Sequence, residues 1–223
     1  MKYDKDVLTK IHGAHPLIDK EVYTNKIMPL QDMKIINRRF MGAGMSQNYA
    51  SIYWQEYYIE SNRFDYVVEF GSQKGALSTY LANMAAITES YIFDTYEMFP
   101  DKDWYSRNDE GVGHWFDRLA ELSPYINYHH KNVFTESTFN HIKENLEQFK
   151  TYIFCDGGDK AREFNMYAPL LKPGDKIAVH DWNMEIRQPQ IQETMDKYNL
   201  VFDEPFAASA SELDTWIMPF RKE

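Results

Sequence analysis

Asp65-Tyr-Val-Val-Glu69-Phe-Gly71-Ser-Gln-Lys-Gly75 is the stretch whose reading decides the fold. An apolar strand runs into a carboxylate, and two glycines then open a helix expected over Ala76–Ala86. α/β proteins build nucleotide-type pockets in this way. Gly71 lets the chain turn with no Cβ to restrict its dihedrals. Gly75 lets the helix begin close to the strand, with its free N–H groups facing a ligand. The same Gly-x-x-x-Gly spacing also occurs in turns that bind nothing, so its meaning depends on what surrounds it.

Outward from that loop, apolar runs alternate with helical patterns. The expected strands are Tyr66–Phe70, Tyr91–Asp94, Ile126–His129, Tyr152–Cys155 and Lys176–Val179. The expected helices cover residues 47–60, Ala76–Ala86, Gly113–Leu122, Phe139–Phe149, Ala161–Leu171 and Gln190–Tyr198. Leu200–Phe206 and Leu213–Phe220 read as a closing hairpin. This alternation predicts an α/β fold, a doubly wound and mostly parallel sheet covered on both faces. In such sheets ligands bind beyond the carboxyl ends of the strands, where the strand order reverses. Residues 1–45 are irregular, with Pro16, Pro29, Gly42 and Gly44 as punctuation. They read as an extension that serves as a lid, as the arm of a homo-oligomer, or as both. Residues 46–223 then form one domain.

Composition narrows the class. The chain has 223 residues with a net charge of −10, which argues against a phosphate-tracking nucleic-acid surface. Its 16 Tyr, 14 Phe and 5 Trp suit a packed core rather than a disordered chain. Cys155 is the single cysteine, so no internal disulfide and no cysteine-based zinc site can form. No stretch approaches membrane-spanning length, and the N-terminus lacks an apolar signal core. The expectation is a cytoplasmic protein whose partner is a small molecule, not nucleic acid or membrane.

The residues able to do chemistry fall at expected strand ends. Asp94, followed by Thr95, is spaced from the glycine loop as a carboxylate that accepts from a ribose diol, although Asp/Thr pairs also cap helices. Asn132 follows the third strand, where a purine edge can receive an amide hydrogen bond. His129 and His130 are adjacent on that strand and point to opposite faces, so they do not converge on one ion and read as structural or exposed. Asp156 ends the fourth strand in Asp156-Gly-Gly-Asp159, and His180-Asp181 ends the fifth. Together Asp156, His180 and Asp181 can hold a divalent cation or remove a proton from a hydroxyl. An imidazole in the set disfavours magnesium and leaves manganese, iron or zinc open. There is no Gly-x-x-x-x-Gly-Lys-Ser/Thr loop and no Gly-x-Ser-x-Gly elbow, so a phosphate-loop hydrolase and an esterase are disfavoured. The wide glycine spacing and Glu69 disfavour a pyrophosphate and suit a cationic or zwitterionic ligand.

Taken in order, these motifs resemble the class I S-adenosylmethionine-dependent methyltransferases. Glu69-Phe-Gly71-Ser-Gln-Lys-Gly75 is similar to their motif I, and Phe93-Asp94-Thr-Tyr-Glu97 to the Phe-Asp-Ser-Phe-Glu signature of macrocin-type sugar O-methyltransferases. Asp156-Gly-Gly-Asp159, Pro169-Leu-Leu-Lys-Pro-Gly174 and His180-Asp181 resemble the second half of such a domain, with Asp159 where histidine is common and His180 where an acid is common. Met45-Ser-Gln47 with Trp54-Gln55-Glu56 resembles the lead-in of cephalosporin-hydroxylase-like members. The resemblance implies a Rossmann-like sheet of seven strands with an antiparallel last strand. It implies that Glu69, Gly71, Ser72 and Gly75 surround the methionine part of S-adenosylmethionine, that Asp94 binds the ribose and Asn132 the adenine, and that Thr95 and Asp156 also line the cofactor pocket. Asp156, His180 and Asp181 would form the acceptor site or hold a divalent metal. The implied activity is methyl transfer to a hydroxyl of a small molecule, a sugar or glycoside by analogy. A nicotinamide-type oxidoreductase and a non-catalytic cofactor-binding protein are the other readings.

Overall fold

The computed structural model describes residues 39–40, 43–44, 47, 49–72, 76–88, 91–97 and 126–223. A short antiparallel pair, β1 (Arg39–Phe40) and β2 (Ala43–Gly44), precedes α1 (Tyr49–Asn62). Next come β3 (Tyr66–Phe70), α2 (Ala76–Thr88), β4 (Ile92–Glu97) and β5 (Ile126–His130). They are followed by α3 (Glu136–Gln148), β6 (Thr151–Cys155), α4 (Lys160–Tyr167), β7 (Lys176–Val179) and α5 (Gln192–Tyr198). The chain closes with β8 (Leu200–Phe202), α6 (Phe206–Glu212) and β9 (Met218–Lys222). Gly75, the expected helix Gly113–Leu122 and most of the extension over residues 1–45 lie outside the described residues.

Seven strands form one sheet in the order β5-β4-β3-β6-β7-β9-β8, parallel except for β9, which runs antiparallel to both β7 and β8. The order reverses between β3 and β6: the chain steps outward from β3 to β4 and β5, then returns to lay β6 on the other side of β3. A crevice opens at the carboxyl ends at such a reversal. All five side chains of β3 are buried, as a strand covered on both faces requires.

The two faces bury different sets. Val67, Phe93, Tyr152 and Phe154 face one cluster with α1, α2 and α6. Tyr66, Val68, Phe70, Tyr96 and Ile153 face the other with α3, α4 and α5. In the first cluster, Trp54 stacks on Tyr58 at 4.7 Å and Phe64 on Tyr152 at 5.4 Å. Such pairs add about 0.5–1.5 kcal/mol each beyond simple burial. Tyr58 Oη donates to Asp203 Oδ2 at 2.7 Å and Lys176 Nζ to Asp203 Oδ1 at 2.8 Å, tying α1 and β7 to the last connection.

The observed elements correct several expected boundaries. β4 runs on through Thr95 and Tyr96 to Glu97, so Asp94 lies within the strand and not at its end. α3 begins at Glu136 because its first turn is polar, with Glu136 suited to the helix dipole, and the apolar spacing of Phe139, Ile142 and Leu146 marks only the later turns. α4 tightens into a 3-10 turn over Ala168–Leu170, where Pro169 cannot donate to the helix. The closing hairpin is not a simple one. Phe206–Glu212 forms a helix whose small residues Ala207 and Ala210 are buried, and Trp54 Nε1 donates to Ser209 Oγ at 3.0 Å.

Candidate active site at the strand ends

Gly71 has φ 89°, a left-handed conformation that favours glycine. It is also pressed against its neighbour: a Cβ there would lie 2.3 Å from the Asp156 carbonyl oxygen. Gly71 N–H donates to Tyr96 O at 2.8 Å and Asp156 N–H to Phe70 O at 2.9 Å, so the ends of β3, β4 and β6 are joined through backbone. Gly157 has a similar reason, since a Cβ would strike Glu163 Oε1 at 1.9 Å.

Glu69 is fully buried beside this crossing. Its Oε2 accepts from Ser78 Oγ, and from Thr95 Oγ1 at 2.7 Å. Its Oε1 is buried with no hydrogen-bond partner among the described residues. Burial pushes the carboxyl up to about 8, against the pull of the Ser78 and Thr95 hydroxyls and with the help of the Asp156 and Glu97 charges. Thr95, expected to face a cofactor, therefore turns its hydroxyl to Glu69 and orients that carboxylate. Ser72, at the mouth of the loop, is buried.

Asp94 stands one residue from register with Glu69, opposite Val68, and its carboxylate turns to the other face. Oδ2 accepts from Tyr66 Oη, and Oδ1 accepts from Asn127 Nδ2 at 2.8 Å. Burial alone would raise its carboxyl, but the neighbouring His129 imidazole, Tyr66 and Asn127 hold it below the usual carboxylate range. Asp94, expected at the strand end facing a ribose, lies inside the strand and accepts from Tyr66 and Asn127. The acid that ends β4 on the Glu69 face is Glu97, also buried. Asn132 uses Oδ1 to accept from Phe134 N–H at 2.8 Å, and its carbonyl accepts from Thr135 N–H at 3.2 Å. It shapes the turn after β5 and leaves its amide NH₂ on the exposed side.

The structure brings Asp156, His180 and Asp181 together as expected. His180 Nδ1 lies 3.0 Å from Asp156 Oδ1 and 3.5 Å from Asp181 Oδ1. Gln47 Nε2 donates to Asp156 Oδ2 at 2.5 Å, from just before α1. Asp181 sits at φ 55°, and its carbonyl accepts from Met184 N–H at 2.9 Å and Glu185 N–H at 3.0 Å. That tight turn swings Glu185 back over the cluster.

Lys160 completes the site and was not among the residues singled out from sequence. Its ammonium, 7% exposed, lies 2.6 Å from Glu185 Oε2, 3.1 Å from Asp181 Oδ2 and 3.7 Å from Asp156 Oδ1. The signal was present as Asp156 and Lys160 spaced i,i+4 where Asp159 caps α4, accepting from Arg162 N–H. Burial works against both cations here, yet the carboxylates prevail. His180 rises to about 9, driven by Asp156 and then Asp181, and Lys160 stays far above its ordinary range through Asp156, Glu185 and Asp181. Asp181 is held down at about 2, where burial is outweighed by His180 and Lys160. His180 is thus an imidazolium at neutral pH, and it accepts a proton only after losing its own.

The ligand atoms of Asp156, His180 and Asp181 all lie within 4.8 Å of one another, so they fit a single divalent cation of the kind that takes mixed nitrogen and oxygen donors. Such an ion needs neutral His180 and must move the Lys160 ammonium aside. No helix among the described residues is long and apolar enough to cross a membrane.

No protein-family model and no curated protein matches the sequence. Solved structures do. The chain is similar to CmcI in its magnesium and S-adenosylmethionine form, with TM-score 0.56, 17% identity and coverage of 100% of this chain and 97% of that one. It is similar to CalS11, a TDP-rhamnose 3'-O-methyltransferase of calicheamicin biosynthesis, with TM-score 0.51, 13% identity and coverage of 99% and 96%. It is also similar to an O-methyltransferase from Bacillus cereus in complex with SAH, with TM-score 0.50, 14% identity and coverage of 97% of each chain. At these identities the likeness is one of fold: the chain has the Rossmann-like fold of the S-adenosylmethionine-dependent O-methyltransferases.

Proposed function

We propose that the protein is an S-adenosylmethionine-dependent O-methyltransferase acting on a hydroxyl of a small molecule. The observation that carries this reading is the buried, unpartnered Glu69 Oε1 at the reversal point of the sheet, within reach of the Asp156 charge. A carboxylate oxygen buried without a donor fits the ammonium of a methionyl group, which would supply the missing hydrogen bond and bring Glu69 back to its ionised form. Glu97, at the end of β4, would accept from the ribose in place of Asp94. Bound S-adenosylmethionine would supply the sulfonium methyl.

On the acceptor side, Asp156 would orient the hydroxyl, and His180, once neutral, would take its proton. Asp181 would hold the imidazole and balance its charge, while Lys160 would hold the carboxylates of Asp156 and Asp181 in place. If a divalent ion binds, Asp156, His180 and Asp181 would hold it, and it would lower the hydroxyl's pKa. The large apolar side chains exposed among the described residues are Met184 and Trp216. They belong to segments joined where Trp182 N–H donates to Trp216 O at 2.9 Å, close to Asp181. An exposed indole there suits the flat apolar face of a sugar or an aromatic ring, which supports a glycoside acceptor. Residues 1–45 would act as a lid or as the arm of a homo-oligomer, a reading supported by β1 alongside α2.

Calorimetric titration tests the cofactor directly. S-adenosylhomocysteine should bind the full chain and NADH should not; the reverse order of affinity would overturn the proposal in favour of an oxidoreductase.

A further inference from the structure

On the opposite face of the sheet from Glu69, β4, β5 and α3 bring together Asp94, His129 and His141. His129 Nε2 lies 3.5 Å from Asp94 Oδ2, and His141 Nε2 lies 3.7 Å from the same oxygen. The ligand atoms of all three are within 4.8 Å of one another. Both separations exceed an ordinary N–H···O hydrogen bond. They come close to the about 3.3 Å expected between neighbouring ligand atoms around a tetrahedral ion with bonds of about 2.0–2.1 Å. Among the described residues His129 Nε2 is buried with no hydrogen-bond partner, although it points at a carboxylate.

We propose that Asp94, His129 and His141 bind one borderline divalent transition-metal ion, with zinc as the type, at a site separate from the strand-end cluster. Two imidazoles and one carboxylate are the donor set such ions prefer, and three protein ligands leave a fourth place for water. The surrounding residues hold the ligands as outer partners of a metal site do. Tyr66 Oη donates to Asp94 Oδ2 and Asn127 Nδ2 to Asp94 Oδ1, fixing the carboxylate. Tyr96 stacks on the His129 ring at 4.4 Å and 13°, fixing the imidazole. His141 is 46% exposed and gives the ion a path from solvent. The ion would pin α3 to the edge strand β5, independently of the reaction at the other end of the strands.

Cobalt(II) provides the test, because a tetrahedral site gives it visible absorption bands. The full chain, stripped with a chelator, is titrated with cobalt chloride as wild type, His141→Ala and His180→Ala. His141→Ala removes an exposed ligand, and His180→Ala removes the nitrogen of the strand-end cluster. The bands should appear in wild type, persist in His180→Ala and vanish in His141→Ala, with circular dichroism unchanged. Where His141→Ala does not fold, His141→Gln replaces it. Asn127→Ala should weaken binding by about 10–100-fold, the usual cost of losing an outer partner. Absent bands in wild type, bands that survive the loss of His141, or bands lost with His180 would each overturn the proposal.

Discussion

Glu69 and Asp94 are two buried carboxylates on adjacent parallel strands, one residue apart in register, and they are in opposite electrostatic condition. Val68 pairs with Asp94 and Glu69 with Thr95, so the two side chains leave the sheet on opposite faces. Asp94 meets Tyr66, Asn127 and His129 and is held ionised. Glu69 has two hydroxyl donors on one oxygen and none on the other, and burial lifts it to about 8. Burial is common to both. The supply of donors decides which carboxylate keeps its charge, and strand parity decides which donors it meets. The donors around Asp94 fix its carboxylate in place, whereas Glu69 Oε1 is left open to a donor from a ligand.

The largest effect expected from breaking this contrast is on stability. Asp94→Ala leaves the Tyr66 hydroxyl and the Asn127 amide without their acceptor and should cost about 2–4 kcal/mol in urea unfolding. Affinity of the folded variant for S-adenosylhomocysteine should stay within about twofold of wild type, that is within about 0.4 kcal/mol. A variant of near wild-type stability that no longer binds would return Asp94 to the pocket. Glu69→Gln reverses the pattern. It should weaken S-adenosylhomocysteine by about 30-fold, or about 2 kcal/mol, in calorimetry while unfolding at a similar or higher urea midpoint. Glu97→Gln should cost about tenfold in the same titration, or about 1.4 kcal/mol, and an unchanged affinity would remove Glu97 from the ribose site.

The smallest effect is in pH dependence. Glu69 in the folded chain keeps its proton up to about 8, whereas an unfolded glutamate loses it near 4.3. Between those values the folded state binds more protons, so stability falls as pH rises and levels off above about 8. Glu163, also lifted to about 8 by burial, acts in the same sense. His180 adds stability that is fully present below about 6.5 and lost as pH rises through about 9. Urea midpoints between pH 5 and pH 8 should therefore decline less steeply in Glu69→Gln than in wild type. Equal slopes would show that Glu69 is already ionised at neutral pH.

The parallel strands were legible because fully buried parallel strands are short apolar runs; Tyr66–Phe70 and Lys176–Val179 match the structure to the residue. The assembly of Asp156 with His180 and Asp181 was legible for the same reason, since neighbouring parallel strands end side by side. The position of Asp94 within its strand was not, because Thr95-Tyr96-Glu97 prolong β4 beyond the expected end. Lys160 and His141 were missed because each comes from a helix that follows the strand it serves. Helix-to-strand distances are set by packing and not by local pattern. Helix α6 was read as the connection of a closing hairpin because residues 207–211 are a run of small residues with little periodicity of their own.

The contact of Gly71 with the Asp156 carbonyl fixes a dimension of the cleft. Backbone touches backbone there, with no side chain to trim or enlarge, so the span from the Glu69 loop to the Asp156 cluster is inelastic. Under the proposed chemistry, donor and acceptor spacing is then a constant of the scaffold. A change of acceptor must be made in the walls, in the turn bearing Met184 and the loop bearing Trp216, while the floor stays as it is.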